Sequence, residues 1–442
     1  MPDLKNSPIH YTPNPSNPKI LIAGAGLGGL TLAILLEKAS IDYEILERAT
    51  ALKPLGSATS LAPNVMPLLE QLGLLDGLKQ ISLECMGGGL YKDSPDGKSL
   101  YLLSKTDIFS SYKGLSGYTS IIMSRPDLHA LLLSHVPSHK IHLGKRVLSI
   151  SQSSENGVLV RTSDGSTHLC DILVGSDGAY SGVRQSLYSL MKKEGCLPKS
   201  DGEDMKVCHM SILGTTNSID PSIVPLSKDG FSRCDAILGY KNTHSSDAFK
   251  NSDWGSESSG SVQEDWRSFK LPLGPDNSFI TIGDLINSTE SDNVTKVMLE
   301  EKLYATWHHG RTVLMGDGAV NAMLDAVILA NSLYEIAKDA TYTNIRSAFK
   351  EYYDERFPHA KADLESSKKV ASIASGQTWM ENIMRKVMLN LMPTIVMNKI
   401  FVRTLAYRPQ ANFLPKVEYR GSGRVDPQKE SKRYLQEKAT TI

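Results

Sequence analysis

The sequence lacks an excess of charge, a cysteine pattern and an export signal. Lys plus Arg and Asp plus Glu balance at 48 each over 442 residues, so there is no electrostatic footprint for nucleic acid and no reason to expect an acidic partner. The cysteines are odd in number and include no Cys-x-x-Cys pair, which argues against a disulfide framework and a zinc motif. We therefore expect no metal, a reducing compartment and a small, apolar ligand. The five cysteines are Cys85, Cys170, Cys196, Cys208 and Cys234.

The amino-terminal segment does not have the composition of a signal peptide. Its first eighteen residues hold five prolines and few apolar residues, whereas a signal peptide needs a basic start and an apolar core. The segment is therefore interpreted as a disordered lead-in. Together with the cysteines, this predicts an intracellular, cytoplasmic protein.

From Lys19 the pattern becomes sharp. The stretch "KILIAGAGLGGLTLAILLEKASIDYEILERA" predicts an apolar strand, a glycine turn, an amphipathic helix and a second strand that ends in an acid. The motif Gly24-x-Gly26-x-x-Gly29 follows the strand and opens the helix, which is the context that a dinucleotide fingerprint requires. Gly24 permits the tight turn, Gly26 lets the backbone approach a pyrophosphate, and Gly29 lets helix and strand pack closely.

The same unit supplies two further contacts for a nucleotide. The helix amino terminus offers unpaired N–H groups and the positive end of a dipole to the phosphates. Glu47 closes the second strand, where an acid accepts hydrogen bonds from an adenosine ribose. These residues leave NAD and FAD open as the nucleotide.

Later features favour FAD. Arg125 stands at the head of "RPDLHALLLSHV", within reach of a cofactor, and Ser60 in the small-residue stretch "PLGSATSLAPN" is a further predicted contact. Asp177 and Gly178 follow a buried strand in "DILVGSDGAYSGVR", and Gly316 and Asp317 follow another in "GRTVLMGDGAVNAMLDAVILANSL". The set of motifs carries more weight than any one of them.

With these motifs in this order, residues 19–420 resemble the FAD-dependent, aromatic-hydroxylase-like group A flavoprotein monooxygenases. Three stretches are most similar in sequence to the fungal enzymes of secondary metabolism that epoxidise polyene polyketides or prenyl chains. They are "VGSDGAYSGVRQSLYSLMKKEGCLPKSD", "KVMLEEKLYATWHHGRTVLMGD" and "RPQANFLP". The resemblance implies an α/β fold: a Rossmann-like, GR2-type FAD-binding domain with an inserted β-sheet substrate domain and a helical carboxy-terminal region.

The resemblance also implies roles for individual residues. Glu47 would hold the ribose, Arg125 would lie beside the cofactor and Asp177 would help to bind FAD. Asp317 would bind the ribityl-pyrophosphate region. The backbone of Ala319, Val320 and Asn321 would face the pyrimidine edge of the flavin, where a helix amino terminus stabilises negative charge.

The predicted organisation has six segments. Residues 206–284 carry short apolar runs typical of a sheet, interrupted by a stretch too polar to bury. The segments are a tail (1–18), the first part of the FAD-binding domain (19–205), a substrate-side sheet (206–284) with a flexible loop (244–265), the return to the FAD-binding domain (285–350), carboxy-terminal helices (351–420) and a tail (421–442).

The predicted reaction follows from the resemblance. NADPH or NADH would reduce FAD, and one atom of molecular oxygen would enter an apolar polyketide or terpenoid by epoxidation or hydroxylation. Oxygen transfer itself needs no side-chain acid or base, so no catalytic residue is assigned, and the protein's task is orientation and exclusion of water. An NAD(P)-linked dehydrogenase is the alternative enzyme class, but it leaves the Asp-Gly and Gly-Asp motifs without a purpose.

The turn after Asp317 is unusually short. Family members continue through a loop with a His or similar residue, a Pro and several glycines, whereas "GDGAVNAM" joins Asp317 almost directly to the next helix. Misplacing a binding group by about 1 Å can cost on the order of a hundredfold in rate. Two explanations stay open, a natural variant that binds FAD poorly and a mis-spliced product that lacks a short coding piece, and both predict impaired FAD binding and no turnover.

Residues 376–409 carry large apolar residues at helical spacing with cations nearby. Pro393 divides them into two pieces that are too short to span a bilayer. We favour a helical pair packed on the core over peripheral contact with a membrane surface, although an apolar substrate would make such contact useful.

Overall fold

The computed structural model describes most of the chain. The residues described are 11–52, 58–85, 88–93, 100–106, 108–203, 206–216, 235–238, 267–272, 279–289, 294–375, 380, 383 and 401–441.

Strands and helices alternate through the first half of the chain and again near residue 310. In chain order the strands are β1 (Ile20–Ala23), β2 (Tyr43–Leu46), β3 (Ala58–Leu61), β4 (Ser82–Glu84), β5 (Gly88–Asp93), β6 (Leu100–Thr106), β7 (Ile121–Ser124), β8 (Ile141–His142), β9 (Val147–Ser153), β10 (Gly157–Thr162), β11 (Thr167–Cys170), β12 (Ile172–Gly175), β13 (Lys206–Thr215), β14 (Asp235–Leu238), β15 (Lys270–Pro272), β16 (Phe279–Thr281), β17 (Val294–Glu301), β18 (His308–His309) and β19 (Thr312–Leu314). The helices are α1 (Leu27–Lys38), α2 (Met66–Gln71), α3 (Leu75–Ile81), α4 (Ile108–Ser116), α5 (Arg125–Leu133), α6 (Gly182–Lys193), α7 (Ile282–Asn287), α8 (Ala319–Ile336), α9 (Tyr342–Ser375) and α10 (Lys432–Thr441).

A six-stranded sheet in the order β18-β19-β12-β1-β2-β8 forms the centre of the fold. All its pairs are parallel except β18 with β19. Strands β1 and β12 are buried along their whole length, because parallel strands covered on both faces consist of apolar residues. Ala23 lies opposite Leu46 and Gly175, and Gly175 lies opposite Leu314. The residues that follow these four strands therefore meet at one edge of the sheet.

Helix α1 is more buried than its predicted amphipathic character implied. Its first ten residues are all buried, because α5 and α8 pack against it as well as the sheet. A Cβ at Gly28 would lie 2.8 Å from the Cβ of Ala322 on α8, so the two helices approach closely only because residue 28 is glycine. The opposite face of the sheet is covered by α6 and by the antiparallel strands β9, β10 and β11.

A three-stranded antiparallel sheet occupies part of the region in which the sequence predicts a substrate-side sheet, and its boundary differs. Strand β13 pairs antiparallel with β14 and with β17. Because β17 belongs to this sheet, the sheet continues past residue 284, where we had placed the return to the FAD-binding domain. The predicted boundary at residues 350 and 351 falls inside the single helix α9. The predicted flexible loop at 244–265 lies outside the described residues.

Residues 11–18 are ordered, although the sequence placed them in a disordered lead-in. The buried carboxylate of Asp171 accepts hydrogen bonds from the Tyr11 hydroxyl at 3.0 Å, the Asn14 amide at 3.0 Å and the Lys19 amide at 2.7 Å. Burial, and then the Asp171 charge, raises the pKa of Tyr11. Composition alone does not reveal that this segment is ordered, because its order depends on hydrogen bonds to one distant carboxylate.

Asp171→Ala is expected to release this segment and to lower the free energy of unfolding by on the order of 3 kcal/mol, since hydrogen bonds to a charged group contribute the most. Hydrogen exchange of the amides of residues 12–19 and urea denaturation would measure the two effects. Asp76→Ala is the control, because Asp76 is exposed and contacts Lys79 on its own helix. Unchanged exchange in Asp171→Ala would contradict the anchoring role.

The carboxy-terminal segment is also ordered where we had predicted a tail. Helix α10 lies against α8, and the Glu437 carboxylate accepts hydrogen bonds from the Tyr334 hydroxyl at 2.5 Å and from Lys338 at 2.7 Å. These bonds, chiefly the one from Lys338, lower the pKa of Glu437 to about 2. Residues 401–406 are helical, but most of the predicted helical pair at 376–409 lies outside the described residues.

Among the described residues, α8 is the one helix long and apolar enough to cross a membrane. Of its length, 72% is buried inside the protein. The apolar composition of α8 is therefore explained by its position in the core, between α1 and α9.

Candidate cofactor site

The first glycine of the fingerprint is required by the backbone. Gly24 has a φ of +105°, and a Cβ there would lie 2.3 Å from the carbonyl oxygen of Ser176. Its amide donates to the Leu46 carbonyl at 2.8 Å. The turn after β1 thus fits into the gap between the ends of β2 and β12, and only glycine satisfies both constraints.

The third glycine packs the helix on the turn, whereas the second faces open space. A Cβ at Gly29 would lie 2.1 Å from the Gly24 carbonyl oxygen, but a Cβ at Gly26 would meet no protein atom within 4 Å. Gly26 is the N-cap of α1, no side chain caps the helix, and its first turn holds no acid. The free amides of α1 and the open space at Gly26 together form a cradle for an anion.

Glu47 holds the glycine turn in place. One of its carboxylate oxygens accepts the Ala25 amide and the other accepts the Ala49 amide, each at 2.8 Å. A carboxylate oxygen can accept more than one hydrogen bond, so Glu47 retains acceptor capacity for a ribose. The sequence predicted the ribose contact but not this structural role.

The two carboxylate oxygens of Asp177 have different surroundings. One carboxylate oxygen accepts the Gly182 amide at 2.7 Å and the Val183 amide at 3.3 Å, at the start of α6. The other oxygen is buried and has no hydrogen-bond partner within the described part of the protein. A buried carboxylate oxygen without a donor is costly, so this atom marks a place where a ligand or water belongs.

The turn between β19 and α8 has four residues, 315–318, as the sequence indicated. The Gly316 amide donates to the Asp325 carboxylate on α8 at 2.8 Å. Asp317 is exposed. Gly318 is the N-cap of α8, which has neither a side-chain cap nor an acid in its first turn, so a second helix amino terminus points towards the same edge of the sheet.

These features surround one cavity of about 240 Å³. Of the residues predicted to bind the cofactor, seven line it: Gly24, Gly26, Glu47, Arg125, Asp177, Asp317 and Ala319. Gly29 lies beneath the turn and acts through packing. Ser60 is exposed on β3, and neither Ser60, Val320 nor Asn321 lines the cavity.

Asn321 is bound by α9 through its side chain, and the expected flavin contact of its backbone stays a prediction. Its side-chain oxygen accepts a hydrogen bond from Arg356 on α9 at 3.0 Å. Arg356 is fully buried and also donates to the Asp325 carboxylate at 2.7 Å. Burial alone would lower the pKa of the Arg356 guanidinium, but the Asp325 charge raises it above the usual value. This buried ion pair fixes the start of α8 and, through Asp325, the Gly316 amide.

Several residues at the cavity were missed by sequence reasoning. Three cations line it in addition to Arg125, namely Arg48, Lys145 and Arg146. The position of Arg48 directly after Glu47 is the one local signal that could have indicated its place at the cavity. The others come from the loop between β8 and β9 and reach the cavity through the fold. Four cations around an opening with three acids favour an anionic ligand such as a diphosphate.

His129 supports the glycine turn from below. Its Nε2 lies 2.8 Å from the carbonyl oxygen of Ala25. The tautomer with a proton on Nε2 would donate a hydrogen bond to this oxygen. His129 stands one turn after Arg125 on α5, which begins at a Ser124 cap. Helix α5 therefore connects the turn to the side chain predicted to lie beside the cofactor.

A second cavity, also of about 240 Å³, adjoins the first. The two share four lining residues, Asp177, Gly178, Gly316 and Asp317. The guanidinium of Arg184 and the ammonium of Lys302 lie 4.4 and 4.7 Å from the centre of the Tyr304 ring at the second cavity. The Asp-Gly and Gly-Asp motifs thus form a partition between two openings.

Fold and site together define a dinucleotide-binding flavoprotein, and comparisons with known proteins agree. The family described as FAD binding domain matches residues 17–367. The FAD-dependent monooxygenases ptmM of Penicillium ochrochloron and paxM of Penicillium paxilli are each 28% identical to this chain. The alignments cover 79% of this chain in both cases, with 87% of ptmM and 77% of paxM. A variant of HpxO from Klebsiella pneumoniae, complexed with FAD, superposes with a TM-score of 0.65 at 18% identity, over 89% of this chain and 100% of that chain.

This chain belongs to the FAD-binding domain family. The predicted α/β flavoprotein fold and the resemblance to group A flavoprotein monooxygenases, with fungal relatives, are confirmed. The residues at the cavity fit FAD, because an uncapped helix amino terminus, an open cradle at Gly26 and an orphaned carboxylate oxygen of Asp177 stand together.

Proposed function

We propose that the chain is a FAD-dependent monooxygenase that holds FAD in the cavity of about 240 Å³ between β1, β2, β12 and β19. The single observation that carries this is the cradle at Gly26, where an added Cβ would meet no protein atom although the flanking glycines are tightly packed. The backbone φ of −76° at residue 26 suits any residue, and a bound diphosphate accounts for a glycine at this position.

Each lining residue then has a task. The amides of α1 and the surrounding cations bind the diphosphate, and Glu47 orients the ribose. Asp177 and Asp317 would accept hydrogen bonds from hydroxyl groups of the bound cofactor. The uncapped amino terminus of α8, at Ala319, places partial positive charge near the flavin. When bound, FAD supplies the redox and oxygen chemistry that no side chain provides.

The reductant is proposed to be NADPH or NADH. The support is that Arg184 and Lys302 line the second cavity, where they are balanced by Asp177 and Asp317, and offer contacts for a diphosphate. A nicotinamide dinucleotide carries a diphosphate that such cations attract.

The substrate is proposed to be a small apolar polyketide or terpenoid intermediate, which the enzyme epoxidises or hydroxylates. The support is the resemblance in sequence to fungal epoxidases, together with a balanced net charge that suits an uncharged ligand. Cytoplasmic localisation, and peripheral membrane contact through residues 376–409, stay predictions.

The short turn after Asp317 favours a second candidate, a folded chain with impaired turnover. Four residues join β19 to α8, too few to form the loop that family members place against the flavin. Asp317 and Ala319 nevertheless reach the cavity. This candidate would bind FAD without productive oxygen transfer.

One set of measurements tests the two candidates. Purified chain, incubated with excess FAD and desalted, should retain the visible absorbance of flavin and oxidise NADPH in air. A colourless protein after this treatment would overturn the monooxygenase assignment. Bound flavin with NADPH oxidation that yields only hydrogen peroxide, even with apolar polyketides and terpenoids present, would identify the second candidate, because the site would then reduce flavin without protecting the oxygen-transfer step.

A further inference from the structure

A second group of reactive side chains lies at the carboxy-terminal end of α6. It consists of Glu194, Cys196 and His309, and none of them lines either cavity described above. Their ligand atoms all lie within 4.8 Å of one another. A carboxylate, a thiol and an imidazole at this separation are three of the groups that bind Zn²⁺ in proteins.

The backbone brings these residues together from two distant parts of the chain. Glu194 is the C-cap of α6, and Gly195, with a φ of +71°, reverses the chain so that the Cys196 amide donates back to the Met191 carbonyl at 2.9 Å. This is a common way to end a helix. It places Glu194 and Cys196 on the same side of the helix end.

His309 is held independently of this helix. It lies on the edge strand β18, and its carbonyl oxygen accepts a hydrogen bond from the Gln152 side chain of β9 at 3.0 Å. Gly310, which follows, has a φ of +59°, and a Cβ there would lie 2.7 Å from the Gln152 amide nitrogen. The hairpin that carries His309 therefore has little freedom to move.

The distances are close to those of a metal site. Nε2 of His309 lies 2.8 Å from Oε2 of Glu194, and Sγ of Cys196 lies 3.8 Å from the same oxygen. Metal bonds of 2.0–2.3 Å in a tetrahedral arrangement separate ligand atoms by roughly 3.3–3.7 Å. The His309–Glu194 contact would have to open by about half an ångström for these two groups to bind one Zn²⁺.

The surroundings of the cluster contain both signs of charge, because Lys192 and Lys193 lie in the last turn of α6 and Arg311 borders the adjacent cavity. The carbonyl groups at the end of α6 are the negative end of its dipole, and the Cys196 thiol already points its proton at one of them, the Met191 carbonyl, at 3.5 Å. A small cavity of about 70 Å³, bordered by Glu194 and His309, lies beside the cluster. It offers room for a water molecule as a fourth ligand.

We propose that Glu194, Cys196 and His309 form a Zn²⁺ site separate from the cofactor cavity. Binding displaces the thiol proton to solvent and leaves Cys196 as a thiolate ligand. The sequence indicated no metal because its motifs are local spacings, whereas His309 lies more than a hundred residues after Glu194 and Cys196. With three protein ligands and one open position, the site has the coordination of an accessible rather than a closed zinc centre.

The test uses the full chain and Zn²⁺ alone. Calorimetric titration should show one Zn²⁺ per chain, and bound Zn²⁺ should slow alkylation of Cys196 by iodoacetamide, measured on the Cys196 peptide by mass spectrometry. Cys196→Ser and His309→Gln should each weaken Zn²⁺ binding by roughly tenfold or more, since even residues outside the coordination sphere can contribute that much. The visible absorbance of bound flavin should be unchanged.

Two control variants are available. Cys85→Ser and His139→Gln remove the same chemical groups elsewhere and should leave the Zn²⁺ affinity as it is in the wild type. Absence of Zn²⁺-dependent protection of Cys196 in the wild-type chain would overturn the proposal without any variant having to fold. Equal weakening by the control and the ligand variants would overturn it as well.

Discussion

Gly26→Ser is expected to weaken FAD binding by roughly a hundredfold, about 2.8 kcal/mol, with no loss of stability in the FAD-free chain. Serine is at least as good an N-cap as glycine, and no protein atom lies within 4 Å of the added Cβ. The new side chain would nevertheless fill the space that a diphosphate needs. Its hydroxyl would also cap amides of α1 that the phosphates would otherwise bind. Titration of the chain with FAD, followed by flavin fluorescence, and thermal unfolding without FAD measure the two effects.

Gly202→Ser provides the matched control. Gly202 also has open space around it and lies outside both cavities, so its replacement should change neither the FAD affinity nor the unfolding temperature. If the Gly26→Ser chain binds FAD as tightly as the wild type, the diphosphate does not lie at the start of α1. A large loss of stability in the FAD-free variant would instead show that Gly26 is required for folding.

Arg356→Met is expected to lower the free energy of unfolding by about 3–5 kcal/mol. The guanidinium and the Asp325 carboxylate are at most 2% exposed, so removing the cation leaves a buried, uncompensated charge. Asn321 loses its donor at the same time. Because Asp325 also accepts the Gly316 amide, the turn at Asp317 should loosen and FAD affinity should fall as well. Urea denaturation with linear extrapolation measures the first effect.

A control variant on the same helix distinguishes the loss of a buried ion pair from the loss of an exposed one. Lys350→Met breaks an exposed ion pair with Asp354 and should cost less than about 1 kcal/mol. The double variant Asp325→Leu/Arg356→Met should cost clearly less than the sum of its single variants, because it leaves no unpaired charge. Additive losses, or an Arg356→Met variant as stable as Lys350→Met, would contradict the role given to this pair.

Local patterns predicted part of the residues that line the candidate site. Gly24, Gly26 and Gly29 were assigned separate tasks from one turn, and the structure gives each a different steric environment. Strand, turn and helix follow one another within a few residues there, so periodicity and glycine placement carry the information. Asp177 and Asp317 were found in the same way, because each follows directly on a buried strand.

Residues whose role depends on distant partners were missed or misplaced. The hydrogen bond from Arg356 to the side chain of Asn321, 35 residues earlier, has no local signal in the sequence. Residues 11–18 have the composition of a disordered segment and are fixed by Asp171, which lies more than 150 residues away. Lys145 and Arg146 reach the cavity only because β8 joins the edge of the central sheet. No local spacing contains such information.

The sequence by itself determined that a nucleotide-binding βαβ unit begins at Lys19 and that two later acids follow strands, because hydrophobic period and glycine position are properties of neighbouring residues. Only the tertiary structure decided that these acids share one cavity and that a four-residue turn still delivers Asp317 and Ala319 to it. It also placed Cys196 beside His309. The physical reason is that parallel strands align their carboxyl ends at one edge, and the order of the strands in a sheet is decided by packing across the whole chain.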